Sequence, residues 1–319
     1  MNRVAFVFPG QGSQTAGMGM GLYEACKEAR AVIDIAHEAV AGEVDLRELL
    51  LRGSKEELSR TVNTQPAVLT VSIAIHAALV HIAPELRPHL VAGQSLGEYS
   101  ALVAAGAIEL GDAVRVVRQR GAFMQDAVPE GIGGMAAVVG LASDRVKEVC
   151  SNVSREGAGL VAAANFNSPS QTVVSGHRVA LELATSRLME AGARRVIPLP
   201  VSAPFHCELM DSVKPRLREV LRDVNIGRPV PPLVSNVDAE PVDDPERVRS
   251  LLVDQVASPV RWVQVVRTLV SSGVTDVVEM GPGKVLCKLI RGIDESITCH
   301  HVSSPSDLDR VAGVLRKAA

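Results

Sequence analysis

Gly93-Gln94-Ser95-Leu96-Gly97 is a G-x-S-x-G string set between a short apolar run, Leu90–Ala92, and a stretch of helical patterning from about Glu98 to Ala105. A nucleophilic serine needs that setting, because glycines on either side permit a sharp strand-to-helix turn where larger side chains would collide. The plainer reading of Ser95 is a helix N-cap. A hydroxyl attacks a carbonyl only if a base takes its proton, so a histidine must reach Ser95 from elsewhere. Among the eight histidines, His76 and His81 lie in an apolar helical stretch and read as core, while His37, His89 and His177 lie among polar residues and read as solvated. The pair His300-His301 would face opposite sides of a strand, which argues against a shared metal. His206 is the candidate base. It stands in a proline-punctuated loop, Pro200 to Cys207, between a predicted strand and a predicted helix, where functional side chains concentrate. Its neighbour Cys207 is a weaker nucleophile candidate, since adjacency in a loop does not aim it at a substrate.

Two further features bear on the chemistry. Phe8-Pro9-Gly10-Gln11-Gly12-Ser13-Gln14 is a Gly-rich loop after a predicted strand, without the G-K-[ST] or G-x-G-x-x-G of a nucleotide site. It is either a tight turn or a set of main-chain N–H groups presented to a neighbouring site, as an oxyanion hole requires. Arg120 falls on the apolar stripe of the Asp112–Ala127 helix, whereas Arg115 and Arg118 point away. A guanidinium there needs a partner, either an internal carboxylate or the carboxylate of a ligand.

These residues need a scaffold, and the chain supplies an α/β pattern of short apolar strands alternating with amphipathic helices. Strands are predicted at Val4–Phe8, Leu90–Ala92, Pro232–Ser235, Asp276–Glu279 and Ile297–His301. Helices are predicted at about Gly21–Val40, Glu56–Arg60 and Ala67–Ala83. From Pro129-Glu130-Gly131 the texture changes to strand Met135–Val139, helix Ser143–Arg155, strands Leu160–Ala164 and Gln171–Val174, helix Arg178–Ala191 and strand Arg195–Pro198. That is β-α-β-β-α-β, the ferredoxin-like order. The expected organisation is a large α/β unit over 1–130 and 200–319 with an inserted small unit over 131–199.

Composition closes off other classes. Of 319 residues 47% are hydrophobic and 22% charged, and the formal net charge is −3, which excludes disorder and any general attraction to nucleic acid. Five scattered cysteines without a C-x-x-C spacing point to a reducing compartment rather than to disulfides or zinc. The N-terminal apolar run is too short for a signal peptide. Ala67–Ala83 carries no formal charge but is barely long enough to span a bilayer, so it is expected to be a buried helix in a protein without a membrane segment.

Nine ordered blocks together resemble the malonyl-CoA:acyl carrier protein transacylases, a family that includes acyltransferase domains of polyketide synthases. They are Phe8 to Gln14, Gln65-Pro66, Gly93 to Glu98, Arg120-Gly121, Asn165-Phe166-Asn167-Ser168-Pro169, Pro204-Phe205-His206, Ser235-Asn236-Val237, Gln255 through Pro259-Val260-Arg261-Trp262, and Glu279 to Gly283. The resemblance spans about Val4 to Ile293. It implies an α/β-hydrolase-like large subdomain with a ferredoxin-like insertion, and malonyl transfer from malonyl-CoA to the phosphopantetheine thiol of acyl carrier protein, supplying fatty-acid synthesis or a polyketide carrier. By it Ser95 is the nucleophile, His206 the general base, and Gln255 the residue whose main-chain carbonyl orients that histidine. The N–H groups of Gln11 and Leu96 form the oxyanion hole, Arg120 binds the malonyl carboxylate, and Phe205 selects malonyl over branched units. No metal and no resident cofactor are implied, since CoA and phosphopantetheine enter as substrates, and the expected state is a cytoplasmic monomer. The chain departs from the family at Gln94, where histidine is usual. The family's carrier protein is acidic, so this net-negative chain needs local cations. Lys284, Lys288 and Arg291 at helical spacing are one candidate patch and Arg194-Arg195 another, the plainer reading of each being a solvated face. The competing functions are a serine thioesterase or esterase on the same turn, which would need an acid behind His206 and no Arg120, and a catalytically silent fold.

Overall fold

The computed structural model describes residues 3–201 and 203–318. The chain begins with β1 (Val4–Phe8) and runs through helices α1 (Met20–Ala25), α2 (Lys27–Ala39), α3 (Leu46–Arg52), α4 (Lys55–Ser59) and α5 (Thr61–Ile82). Next come β2 (Leu90–Gly93), α6 (Gly97–Ala104) and α7 (Leu110–Asp126). The middle segment holds β3 (Gly133–Val139), α8 (Ser143–Arg155), β4 (Val161–Ser168), β5 (Gln171–His177), α9 (Arg178–Glu190) and β6 (Arg195–Pro198). The remainder comprises α10 (Val213–Arg222), β7 (Leu233–Val234), β8 (Pro241–Val242), α11 (Pro245–Gln255), α12 (Trp262–Ser271), β9 (Asp276–Met280), α13 (Val285–Arg291), β10 (Thr298–Val302) and α14 (Pro305–Ala318).

Two sheets result. The first has the order β10-β9-β1-β2-β7-β8, parallel except for the last pair. The apolar runs of β1 and β9 are buried at every position, as expected for central parallel strands covered on both faces. The second sheet is antiparallel throughout, in the order β4-β5-β3-β6. Phe8 aligns with Gly93 in the β1–β2 register, so the loops after these two strands leave the sheet side by side. The carboxyl ends of parallel strands are where α/β sheets place ligands.

The uncharged helix α5 is long and apolar enough to cross a membrane by length and composition, yet 72% of its most apolar 18-residue window is buried inside the fold. It starts at Thr61 rather than at Ala67, with Pro66 inside it. The carbonyl that Pro66 cannot pair, Val62 O, lies 3.5 Å from Arg118 Nη1, which offsets the missing bond. The predicted Gly21–Val40 helix is two helices, broken where Cys26 turns extended (φ −123°, ψ 117°). His81 is a correction to the core reading. The last turn of α5 emerges into solvent there, and its Nε2 reaches to 3.5 Å from Glu28 Oε1. His76 is half-buried rather than core, edge-on to Phe6 and Phe8. His177 is not merely solvated, for its Nδ1 accepts the Leu160 N–H at 2.9 Å.

Candidate active site

The turn after β2 is built by close backbone approach. A Cβ on Gly93 would lie 1.9 Å from the Gly97 carbonyl carbon, one on Gly97 2.1 Å from Phe8 O, and one on Gly10 2.4 Å from Gln94 O. The loop after β1 therefore rests directly on the turn after β2, main chain against main chain. Ser95 occupies that turn at φ +53°, and His206 sits at φ +60°. Left-handed backbone at non-glycine residues is costly and concentrates at functional sites.

The two side chains meet. Ser95 Oγ is 2.7 Å from His206 Nε2, and His206 Nδ1 is 2.9 Å from the main-chain oxygen of Gln255. A carbonyl oxygen only accepts, so Nδ1 carries the proton and Nε2 presents its lone pair to the serine hydroxyl. Gln255 is the last residue of α11, where carbonyls lack helical partners and the helix dipole is negative, which favours any positive charge on the ring. Burial and the nearby Arg120 push His206 down to about 4, so it is neutral at neutral pH. Cys207 is buried, with Sγ 3.2 Å from Pro204 O and its thiol pushed up by burial, and it takes no part in this pair.

Arg120 is 1% exposed. Its Nη1 donates to Gln65 Oε1 at 2.7 Å, and its Nη2 donates to Gln255 Oε1 at 2.8 Å and to Ser95 Oγ at 3.1 Å. It also stacks 5.7 Å above the Tyr99 ring. Among the described residues Arg120 makes no ion pair, and the buried carboxyl of Glu98 acts on it only across Gln255. Its direct partners are neutral amides and a hydroxyl, and its Nε is buried without a partner. A guanidinium so placed is complementary to an anion arriving in the cavity.

That cavity, of about 260 Å³, is lined by Gln11, Gln65, Ser95, Leu96, Arg120, Phe205 and His206 among others. The main-chain N–H groups of Gln11 and Leu96 donate to no acceptor among the described residues, whereas the Ser95 N–H is taken by Asn236 Oδ1 at 2.7 Å. Gln94, where the resemblance implies histidine, donates through Nε2 to Asn167 Oδ1 at 2.8 Å and so ties the turn to β4 of the antiparallel sheet. Gln11, Ser95, Leu96, Arg120, Phe205 and His206 thus line one cavity and Gln255 supports His206 from behind it, whereas Cys207, Arg194 and Arg195 are not brought to it. Sequence reasoning gave no role to Gln65, Glu98 or Asn236, although each stands in a quoted motif block. Glu98 is fully buried, its Oε1 accepting the Asn236 N–H at 2.5 Å and its Oε2 accepting from Gln255 Nε2. Burial pushes its carboxyl up, while those two donors and Arg120 favour the ionised form.

A serine with its base, two free main-chain donors and a buried arginine define an acyl-transferring site. The acyl transferase domain family matches residues 5–317, and the chain belongs to that family. Malonyl CoA-acyl carrier protein transacylase of Bacillus subtilis (strain 168) is 43% identical over 317 residues, covering 99% of this chain and 98% of the relative. The transacylase of Escherichia coli (strain K12) is 43% identical over 307 residues, covering 96% and 97%. Among solved structures, the acyl-carrier-protein S-malonyltransferase of Burkholderia pseudomallei 1710b superposes with a TM-score of 0.93 at 44% identity, over 98% of this chain and 99% of that one. The malonyl-transacylase PlMCAT, solved in complex with the type II PKS acyl-carrier protein AntF, superposes at 0.92 with 39% identity, over 98% and 99%.

Proposed function

We propose that this chain transfers malonyl from malonyl-CoA to the phosphopantetheine thiol of an acyl carrier protein through an acyl-enzyme on Ser95. The observation that carries the reading is Arg120, buried with no carboxylate in direct contact among the described residues and 3.1 Å from the serine oxygen. A guanidinium that close to the nucleophile suits a carboxylate only two bonds from the reacting carbonyl, which is the malonyl group.

In the first half-reaction Ser95 attacks the thioester carbon while its proton passes to His206 Nε2. The developing oxyanion is taken by the N–H groups of Gln11 and Leu96. The C–S bond then breaks, and His206 returns the proton to the CoA sulfur. In the second half-reaction the pantetheine thiol gives its proton to His206, attacks the malonyl ester, and releases Ser95 with its proton restored. The main-chain carbonyl of Gln255 keeps the imidazole in the required tautomer, the task an acid performs in a hydrolase triad. Arg120 fixes the acyl group and leaves a water little room to attack. Phe205, in the cavity wall beside the base, narrows the space around the malonyl methylene and so disfavours branched units. No resident cofactor is required.

The order β4-β5-β3-β6 supports the reading of 131–199 as a ferredoxin-like insertion into a hydrolase-like unit formed by 1–130 and 200–319. All five cysteines are free thiols, which supports the cytoplasm as the compartment. The curated relatives are named for an acyl carrier protein, and one solved relative is in complex with a type II PKS acyl-carrier protein. The acceptor proposed for this chain is therefore the feature such carriers share, the pantetheine thiol.

The test is incubation with malonyl-CoA followed by intact mass and peptide mapping, then addition of holo-acyl carrier protein. A malonyl adduct on Ser95 that moves to the carrier is the expected result. Release of free malonate would make the chain a serine hydrolase, and absence of an adduct would make it a silent fold.

A further inference from the structure

We infer that Glu98 is a positioning residue for the nucleophile: its buried carboxylate anchors two amide side chains, Asn236 and Gln255, that clamp the main chain of Ser95 from both sides. The inference rests on Ser95 being the acylated residue and adds how its strained geometry is held. Asn236 Oδ1 accepts the Ser95 N–H at 2.7 Å, and Asn236 Nδ2 donates to Gly93 O at 2.7 Å. Gln255 Nε2 donates to Ser95 O at 3.0 Å. Both polar main-chain groups of the serine are therefore fixed by amides drawn from distant parts of the chain.

Each amide residue is in turn fixed by Glu98. One carboxylate oxygen takes the Asn236 main-chain N–H and the other takes the second hydrogen of Gln255 Nε2. Gln255 is then saturated, with both its hydrogens donated and its Oε1 accepting from Arg120 Nη2. Glu98, Asn236 and Gln255 are each 0% exposed, so water cannot substitute for a lost partner. The φ of +53° at Ser95 persists only while its surroundings over-determine it. The clamp supplies that determination and leaves the N–H of Leu96, the next residue, free to face the cavity.

A glutamate is required because both facing groups are donors. Glutamine has the same shape but one acceptor and one donor, so Glu98→Gln sets N–H against N–H on one arm. The network also reaches Arg120 through Gln255, but Glu98 itself touches neither the cavity nor His206, which makes it a positioning and not a catalytic residue.

The experiment compares the full-length wild-type chain with Glu98→Gln in two assays. One is the rate of Ser95 labelling by a fluorophosphonate, a serine reagent with no carboxylate for Arg120 to hold. The other is acylation by malonyl-CoA, resolved into kcat and KM, with active sites counted by the burst. Displacing a reacting group by about 1 Å costs on the order of 100-fold. The expected result is a roughly 10- to 100-fold slower labelling and a matching fall in kcat per active site, with KM changed less. A role in folding alone would lower the number of active sites and leave the rate of each unchanged, and that outcome overturns the inference. If Glu98→Gln yields no folded chain, Asn236→Ala cuts one arm of the clamp with Glu98 in place, and labelling at the wild-type rate would overturn the inference equally. Should the wild type resist labelling at Ser95, the acyl-enzyme falls and the inference with it. Labelling without a malonyl adduct counts against the malonyl reading only.

Discussion

At Ser95 the hydroxyl stands between a base and a cation, accepting from Arg120 while donating to His206. The same arginine lowers the basicity of the imidazole, second to burial, so nucleophile and base are tuned by one charge. Because His206 is held below its usual 6.5, at about 4, it stays unprotonated through the mildly acidic range, and the acid limb of kcat/KM for malonyl-CoA should fall below pH 6.5. The linkage has the matching sign. The folded chain resists the proton that the unfolded chain accepts, so the stability contributed by neutral His206 is present above pH 6.5 and is lost as pH falls toward 4. Arg120→Ala removes one lowering influence and should move the acid limb upward. The same variant should lose roughly 30- to 150-fold in kcat/KM for malonyl-CoA, the loss of a charge-assisted contact of about 2–3 kcal/mol, with little change for acetyl-CoA. Unchanged selectivity would show that Arg120 only fills the core. Ser95, His206 and Arg120 were legible in the sequence because each has a chemistry that its surroundings made conspicuous. Gln255 was legible only through the family resemblance, since it serves His206 through a main-chain carbonyl that every residue type possesses. Asn236 and Glu98 were not legible, because their bonds join residues more than 130 positions apart and no local pattern records them.

Helices α5 and α7 bring the two halves of the anion site together. Gln65 rides on α5 and Arg120 on α7, and the helices touch where Gly121 has no side chain: a Cβ there would lie 2.8 Å from Thr61 O and 3.0 Å from Val62 Cα. Both opposing atoms are backbone, so the helices must separate to admit a methyl group. Gly121→Ala should therefore destabilise by about 1–3 kcal/mol through overpacking, in urea unfolding. It should also raise KM for malonyl-CoA more than it lowers kcat, because Gln65 would lose its hold on Arg120 while the Ser95–His206 pair stays intact. A variant as stable as wild type, with unaltered KM, would show that the helices have slack. Every strand but β8 was visible in the hydrophobic pattern, and so were all six elements of the middle segment. Two failures have local causes. The break at Cys26 interrupts a stretch whose periodicity runs on unbroken, and β8 has only two residues, one of them a proline, too short to carry a period.

For the molecule as a whole, a net charge of −3 gives no general attraction to two anionic substrates, so any steering must be local. The two candidate patches differ in place. Arg194 and Arg195, at the start of the edge strand β6, line no part of the cavity, whereas Val285 lines it, and Lys284 precedes it while Lys288 and Arg291 follow it on α13. All three cations are exposed, and among the described residues none enters an ion pair. An acidic carrier protein that docks over the mouth would meet them beside the path its pantetheine arm must take. Reversing the three charges to glutamate should slow malonyl transfer to the carrier by roughly tenfold at low ionic strength, the scale of an electrostatic contribution to association, and flatten its salt dependence. Formation of malonyl-Ser95 at saturating malonyl-CoA should be unchanged, because α13 contributes no group to the chemistry. Reversal of Arg194 and Arg195 serves as the comparison and should leave both half-reactions alone. Equal effects of the two reversals would mean that the carrier senses only overall charge, and no effect of either would place its docking on another face.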